Sequence, residues 1–244
     1  MEFKGSNAYE KEDFFNQYLQ RRHRSESPNR LIENPAIFEL LEGVSAETML
    51  DLGCGDGSLG VELLQNERTQ SYIGIDGSEK MLDVARKKLA NLRGTVVNVS
   101  MEDYEYPEKT YDLVTSQLAI QYIEDFATLA KRVHETLKKS GKFVFSVQHP
   151  VITSSFESIQ STGKRGSWLV DDYFQTGERI EPWIGESVVK YHRTIEQYFM
   201  LLQEAGFTIE ALKEGAPKKD LFEDEQEYER RKRIPLFLLF SCAK

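Results

Sequence analysis

The sequence predicts an α/β fold built on a doubly wound, mostly parallel sheet. Three observations predict it. From residue 47 onward, short apolar runs alternate with segments of helical period, the order that parallel strands and crossover helices require. The runs "YDLVT" and "FVFSV" are nearly continuous in apolar residues, as strands covered on both faces must be. The first run opens into a turn with glycine at every second position, Gly53, Gly55 and Gly57.

The elements follow in order. Residues 9–42 read as helical with a break near Ser25 to Pro28; Tyr9, Phe14, Phe15 and Tyr18 precede the break, and Leu31, Ile32, Ile37, Phe38, Leu40 and Leu41 recur at helical spacing after it. Residues 48–52 read as a strand and 58–65 as a helix. Residues 72–76 are the next strand. Residues 78–92 are a helix, with Ser78 as N-cap and Met81, Leu82, Ala85 and Leu89 on one face. Strands follow at 95–99 and 111–116, a helix at 126–139 ending at Gly141, and a strand at 142–147. Residues 151–188 are rich in Ser, Gly, Thr and aromatics without a clean period. A stretch that long predicts an insertion or lid rather than a plain connection. A helix at 194–204 is closed by Gly206, strands follow at 207–212 and 234–241, and residues 218–233 alternate acids and bases as a solvated segment does.

The bulk numbers narrow the function. The chain of 244 residues suits a single domain: a helical cap (1–45), a ligand-binding core (46–150), an insertion (151–190) and a C-terminal helix and strands (191–244). The formal net charge of −9 argues against a general nucleic-acid binder, whose phosphate contacts need a basic surface. Cys54 and Cys242 are too few for a disulfide framework or a zinc site, and no metal is expected. No run approaches the roughly 18 apolar residues of a membrane span, and the first residues lack a signal core, so a cytoplasmic protein without membrane contact is expected.

The glycine turn receives a nucleotide-like ligand, but not by the common dinucleotide fingerprint. A G-x-G-x-x-G pattern begun at Gly53 would need glycine where Ser58 stands. Asp51 and Asp56 flank the turn, poor company for a pyrophosphate and better company for a cation. The next strand ends in Asp76, about 20 residues on, where an acid takes ribose hydroxyls. Turn and acid together specify a nucleoside.

On these residues the chain resembles the class I S-adenosylmethionine-dependent methyltransferases, and the pairing of "SVQHP" with "YHRT" resembles a subset of bacterial small-molecule members. "LDLGCGDGSLG" matches the family's first motif, "YIGIDGSEKMLDVARKK" its second-strand motif and "LKKSGKFVFSV" its fifth-strand region, over roughly residues 45–150. The resemblance implies a Rossmann-like, seven-stranded sheet whose last strand is antiparallel, with N-terminal helices and an insertion after the fifth strand. It implies S-adenosylmethionine as cofactor and S-adenosylhomocysteine as product. It implies that Gly53, Cys54, Gly55 and Gly57 shape the turn around the methionine portion, with Asp51 helping to hold it. It implies that Asp76 and Gly77 meet the ribose, and that Met81 covers one adenine face. Ser100, Met101 and Glu102 would stand at the adenine edge, and Ser116, Gln117 and Leu118 beneath the sulfonium.

The acceptor side is read from position. His149 follows "FVFSVQ" at the end of a central strand, held extended by Pro150, and His192 stands at the entry to a helix; each is a candidate catalytic base, a backbone-bonded structural role being the alternative. His23 and His134 read as surface helix residues. Tyr173, Trp183 and Tyr191 in and beside the insertion, with Gln121 and with Tyr9 and Tyr18 of the N-terminal helix, are candidates for an acceptor pocket, although the insertion's aromatics could equally form its own core or a dimer contact. The expected partner is a small-molecule methyl acceptor, at O or N, with the protein a monomer or homodimer. RNA or protein methylation, or non-catalytic cofactor binding, are the alternatives. The Asn/Asp-Pro-Pro-Tyr type of motif used on amino-nucleobases is replaced by Ser116, Gln117, Leu118 and Ala119.

Overall fold

The structure is a computed structural model that describes residues 2–22, 24–159 and 164–244. The expectation for His23 lies outside the described residues, as does the part of the insertion at 160–163.

The chain opens with a short strand β1 (Glu2–Phe3), a 3-10 turn (Gly5–Glu10) and helix α1 (Glu12–Arg22). Acids begin α1 and Arg21 and Arg22 end it, matching the helix dipole. After the predicted break, a π-helical stretch (Asn29–Glu33) runs into α2 (Asn34–Leu40). The core then alternates: β2 (Ala46–Leu52), α3 (Ser58–Gln65), β3 (Thr69–Asp76), α4 (Glu79–Leu89), β4 (Gly94–Asn98), β5 (Tyr111–Gln117), α5 (Phe126–Thr136) and β6 (Leu137–Gln148). A short helix α6 (Pro150–Thr153), strands β7 (Gly177–Trp183) and β8 (Glu186–His192), α7 (Ile195–Glu204), β9 (Thr208–Lys213), α8 (Glu225–Arg231) and β10 (Phe237–Ala243) complete the chain. Ser78 caps α4 as predicted, and Thr194 and Gln197 form a capping box on α7.

Seven strands form one sheet in the order β4-β3-β2-β5-β6-β10-β9. Its pairs are parallel except those of β10, which is antiparallel to both β6 and β9. This is the predicted Rossmann-like α/β fold. Buried residues alternate between the two faces: Val114, Phe143, Phe145 and Phe240 pack on one side, while Leu113, Val144 and Leu239 pack against α2 on the other. Both faces are dry, which is why these strands read as unbroken apolar runs.

Two expectations need correction. The helix predicted to 139 ends at Thr136; Leu137 turns extended, packs into the core and pairs with Tyr111 across an irregular register. The insertion, read without regular structure, contains the β7–β8 hairpin, and β1 adds to it in parallel to make a second, three-stranded sheet. The hairpin hid because its two-residue turn is Ile184-Gly185, with φ of +52° and +77°. Turns of this hand usually carry Asn-Gly. Ile184 tolerates the left-handed backbone because it is buried in a cluster with Phe14 and Val188. Among the described residues, no helix is long and apolar enough to cross a membrane.

Candidate active site

β2 delivers the chain into the glycine turn between its two sheet neighbours, β3 and β5. The connections leave β2 in one direction toward β4 and return on the other side to β5, so a crevice opens at the carboxyl ends of these strands. A cleft of about 370 Å³ lies there. Gly53 and Gly55 line it, both with left-handed backbone (φ +68° and +54°). They are glycine for different reasons. A Cβ on Gly53 would stand 2.4 Å from the Ala119 Cβ, whereas one on Gly55 would have no atom within 4 Å. Packing excludes a side chain at the first, and the second presents bare backbone to an open space that a ligand can fill.

Asp76 forms the next stretch of wall. Its Oδ2 accepts from the Gly55 amide at 2.9 Å and its Oδ1 from the Ser78 amide at 2.8 Å. The carboxylate thus ties the turn to the start of α4 and keeps lone pairs toward the cleft. Burial raises its pKa, and the two amides oppose that. Such a carboxylate gains from further donors. Met81 and Met101 supply apolar surface, and Ser100 Oγ donates to Asp103 Oδ2 at 2.7 Å in a tight turn at the far end. Leu118 follows β5 with φ +50°, strained for a side-chain-bearing residue, and also lines the cleft.

The opposite wall comes from the N-terminus. Ser6 packs so closely over Gly77 that a Cβ there would lie 2.3 Å from its Oγ, and Glu10 accepts from Ser78 Oγ at 2.7 Å. Tyr9 and Tyr18 line the cleft with their rings edge to face at 4.9 Å, and Tyr122 faces them, its hydroxyl 3.4 Å from that of Tyr9. Phe14 and Trp183 pack behind these rings. Lys190, buried with Glu181, lies 5.3 Å from the Tyr122 ring and 4.9 Å from Trp183. Burial pushes the Tyr18 phenol up to about 12 and raises Tyr122 as well, so both are protonated hydrogen-bond donors near neutral pH.

Of the residues singled out from sequence, Gly53, Gly55, Asp76, Gly77, Met81, Ser100, Met101, Glu102, Gln117, Leu118, Tyr9 and Tyr18 line this cleft. The others do not. Asp51 is buried beneath the turn, both oxygens taken by Tyr72 and Thr115 hydroxyls at 3.0 and 2.8 Å, and burial pushes it up to about 6. Cys54 and Gly57 face inward against β3 and α4, and Ser116 Oγ is spent on the Leu52 carbonyl. Gln121 donates to the Leu118 carbonyl from below the cleft. Trp183 supports the tyrosines from behind, Tyr191 bonds Glu124, and Tyr173 packs on His192.

Neither histidine lines the cleft. His149 caps α6: its Nδ1 accepts from the Val151 amide at 3.2 Å, so Nε2 carries the proton and donates to Glu214 at 2.9 Å. His192 Nε2 donates to the Tyr173 carbonyl at 2.9 Å, so its Nδ1 accepts from Thr153 Oγ1 at 2.7 Å. Burial lowers the pKa of each. Each ring has both nitrogens engaged away from the cleft, the arrangement of a structural histidine. Among the insertion's described residues none lines the cleft, and β8 pairs with β1 of the N-terminal wall. Sequence reasoning missed Lys4 to Asn7, Asp103, Tyr122 and Ile123. Only Asp103 carried a local signal, the Ser-x-x-Asp turn with Ser100.

Comparison with known proteins accords with this geometry. Residues 49–141 match the model of a methyltransferase domain family. The solved S-adenosylmethionine-dependent methyltransferase of Mesorhizobium loti is 31% identical and superposes with a TM-score of 0.79 over 92% of this chain and 100% of its own. A Listeria monocytogenes structure assigned to the same enzyme class is 35% identical, with a TM-score of 0.77 over 86% of this chain and 95% of its own. A protein of Haemophilus influenzae, of uncharacterised function, is 32% identical over 85% of each chain.

Proposed function

The chain belongs to the class I S-adenosylmethionine-dependent methyltransferases, and from that premise we propose that it methylates a small-molecule acceptor at oxygen or nitrogen. S-Adenosylmethionine, when bound, supplies an electrophilic methyl group on a sulfonium. The donor set of the cleft fits this cofactor: a desolvated carboxylate for ribose hydroxyls, bare backbone at Gly55, and thioether and apolar surface for a flat base. In this reading Asp76 takes the ribose hydroxyls, Met81 and Met101 flank the adenine, and Asp103 and the Met101 amide meet its edge.

The observation that carries the acceptor reading is the aromatic wall of Tyr9, Tyr18 and Tyr122, flanked by the N-terminal segment. A cavity of this size suits a cofactor and a small partner. The net charge of −9 disfavours a nucleic-acid acceptor. Both cysteines are free, in keeping with a cytoplasmic enzyme.

Methyl transfer is an in-line displacement, and its rate gains from holding the acceptor atom against the methyl carbon. The three tyrosines exclude water, and their hydroxyls can orient the acceptor. Neither histidine accepts the acceptor's proton in this reading, so a proton released by an amine or hydroxyl leaves to solvent or to the acceptor's own base. The test is transfer of labelled methyl from S-adenosylmethionine into a cell extract divided by ultrafiltration. Label in the small-molecule fraction is expected. Label only in retained RNA or protein would replace this reading, and binding without any transfer would favour a non-catalytic domain.

A further inference from the structure

Within the methyltransferase reading, on which this rests, we infer that the acceptor carries an oxyanion, a carboxylate or a phosphate, and that the hydroxyls of Tyr9 and Tyr122 hold it, backed by Lys190. The two phenol oxygens stand 3.4 Å apart. A well-formed O–H···O bond spans about 2.5–3.0 Å, so neither proton is committed to the other ring. Both residues line the cleft, and among the described residues no other hydrogen-bond partner takes the Tyr9 hydroxyl. A ligand oxygen set about 2.7 Å from each would receive both protons at once. Both rings are fixed. Tyr9 sits on the 3-10 turn Gly5–Glu10 with Phe14, Tyr18 and Trp183 around it, and Tyr122 ends a second such turn, Ile120–Tyr122, after β5.

What stands behind Tyr122 gives the pair its sign. Lys190 of β8 is 1% exposed; its ammonium bonds Glu181 of β7, and the Gln148 side chain at 3.0 Å. It also acts on Tyr122, whose ring centroid lies 5.3 Å away, through both its charge and its remaining donor. Lys190 draws on the phenol more strongly than Glu181 opposes it, so the field at this hydroxyl is positive. A phenol oxygen that faces a cation makes its own O–H a stronger donor, and the best partner for such a donor is an anion. The acid that bears on Tyr9 is Asp76, whose oxygens are engaged by the Gly55 and Ser78 amides and, in this reading, by the ribose. The sulfonium of the bound cofactor adds a further positive charge. A buried ion pair adds little to stability over apolar residues of the same volume, so the fold alone does not account for one placed against a cleft residue.

The test needs no prior identity for the acceptor. The small-molecule fraction of a cell extract is passed over an anion exchanger at neutral pH, and the retained and unretained parts are offered to the full chain with methyl-labelled S-adenosylmethionine. Methyl acceptance is expected in the retained part alone. Its loss after phosphatase treatment would assign a phosphate, and its survival a carboxylate. Acceptance in the unretained part would mean a neutral or cationic acceptor, overturning the oxyanion and leaving the methyltransferase reading intact. No transfer to either part, with S-adenosylhomocysteine still bound, would overturn both.

Variants locate the site. Tyr122→Phe should raise the amount of retained part needed for half-maximal rate about 10- to 100-fold, the scale of a lost hydrogen bond to a charged group, with the maximal rate and S-adenosylhomocysteine affinity close to those of the parent. Lys190→Met combined with Glu181→Leu, which removes the ion pair without stranding either charge, should move the same quantity in the same direction by less. A parent-like value in Tyr122→Phe would place the oxyanion elsewhere. A matching fall in cofactor affinity would mean that Tyr122 only supports the cleft. Either result overturns the assignment.

Discussion

Replacing Gly53 and Gly55 separately by alanine should split two demands that the glycine turn meets at once. An alanine in left-handed backbone costs about 1–2 kcal/mol at either position. At Gly55 that is the whole cost to the fold, because the new methyl has no atom within 4 Å. At Gly53 the methyl would lie 2.4 Å from the Ala119 Cβ and 3.1 Å from the Met101 Cε. Carbon atoms rest about 3.5–4.0 Å apart, so β2 or the loop after β5 must shift by about 1 Å. Overpacking of that kind adds about 1–3 kcal/mol. Gly53→Ala should therefore lose about 2–5 kcal/mol and Gly55→Ala about 1–2, read as thermal melts without ligand, where each kcal/mol moves the midpoint by about 2–4 °C in a chain of this size. The order reverses for binding per unit of stability lost. The Gly55→Ala methyl projects into space assigned to the cofactor, and calorimetry should show S-adenosylhomocysteine weakened by about tenfold or more. Parent-like affinity in a folded Gly55→Ala protein would refute the placement of the ligand against this turn. A Gly53→Ala midpoint no lower than that of Gly55→Ala would refute the packing argument.

Other perturbations test the remaining parts of the site. Asp76→Asn keeps one acceptor where two amides and the ribose need more, so S-adenosylhomocysteine binding should weaken by about 1.5–3 kcal/mol, and equal affinity in mutant and parent would remove the ribose role. The pKa values of His149 and His192 are depressed on folding; each therefore contributes its full stability above the unfolded value of about 6.5 and loses it as the pH falls through that value toward the lower folded one. His149→Gln should flatten this acid loss in denaturant titrations, and an unchanged slope would contradict the capped, neutral ring. Asp51, pushed up to about 6, has the opposite sign and favours the fold as the pH falls through that value. Lys190→Met leaves Glu181 buried without its partner and should cost about 3–5 kcal/mol in chemical denaturation, much of it recovered when Glu181→Leu is added; no loss in the single variant would show that the pair is solvated.

The cofactor half of the cleft was largely legible because its signals are local. The turn at Gly53 and Gly55, Asp76 at its strand end and Met81 one turn into a capped helix lie within a few residues of the elements that place them. Their strands alternate faces in a buried sheet, so the chain that enters the turn has only one way to leave it. Side-chain direction at strand ends was less legible. Asp51 and Ser116 belong to strands flanking the crevice, yet hydroxyl partners on neighbouring strands and a carbonyl hold them below it. His149 stands at the right end of the right strand and turns away, because the amide of Val151 and the carboxylate of Glu214 satisfy it there.

By itself the sequence determined the alternation of strands and helices in the central sheet, its mostly parallel character, the nucleoside turn and the acid opposite it, while the antiparallel last strand came from the family resemblance. Period-two and helical apolar patterns, caps and turn residues encode these within short windows. Only the tertiary structure decided what closes the cleft. Glu2 pairs with Ser187 and Phe3 with Val188, and that contact sets the Lys4 to Asn7 segment and Tyr9 over the ligand space while Trp183 and Lys190 stand behind. No local pattern announces such a pairing. Its energy comes from burying aromatic rings contributed by the N-terminal segment and by the insertion, and that burial exists only after the central sheet has brought them together.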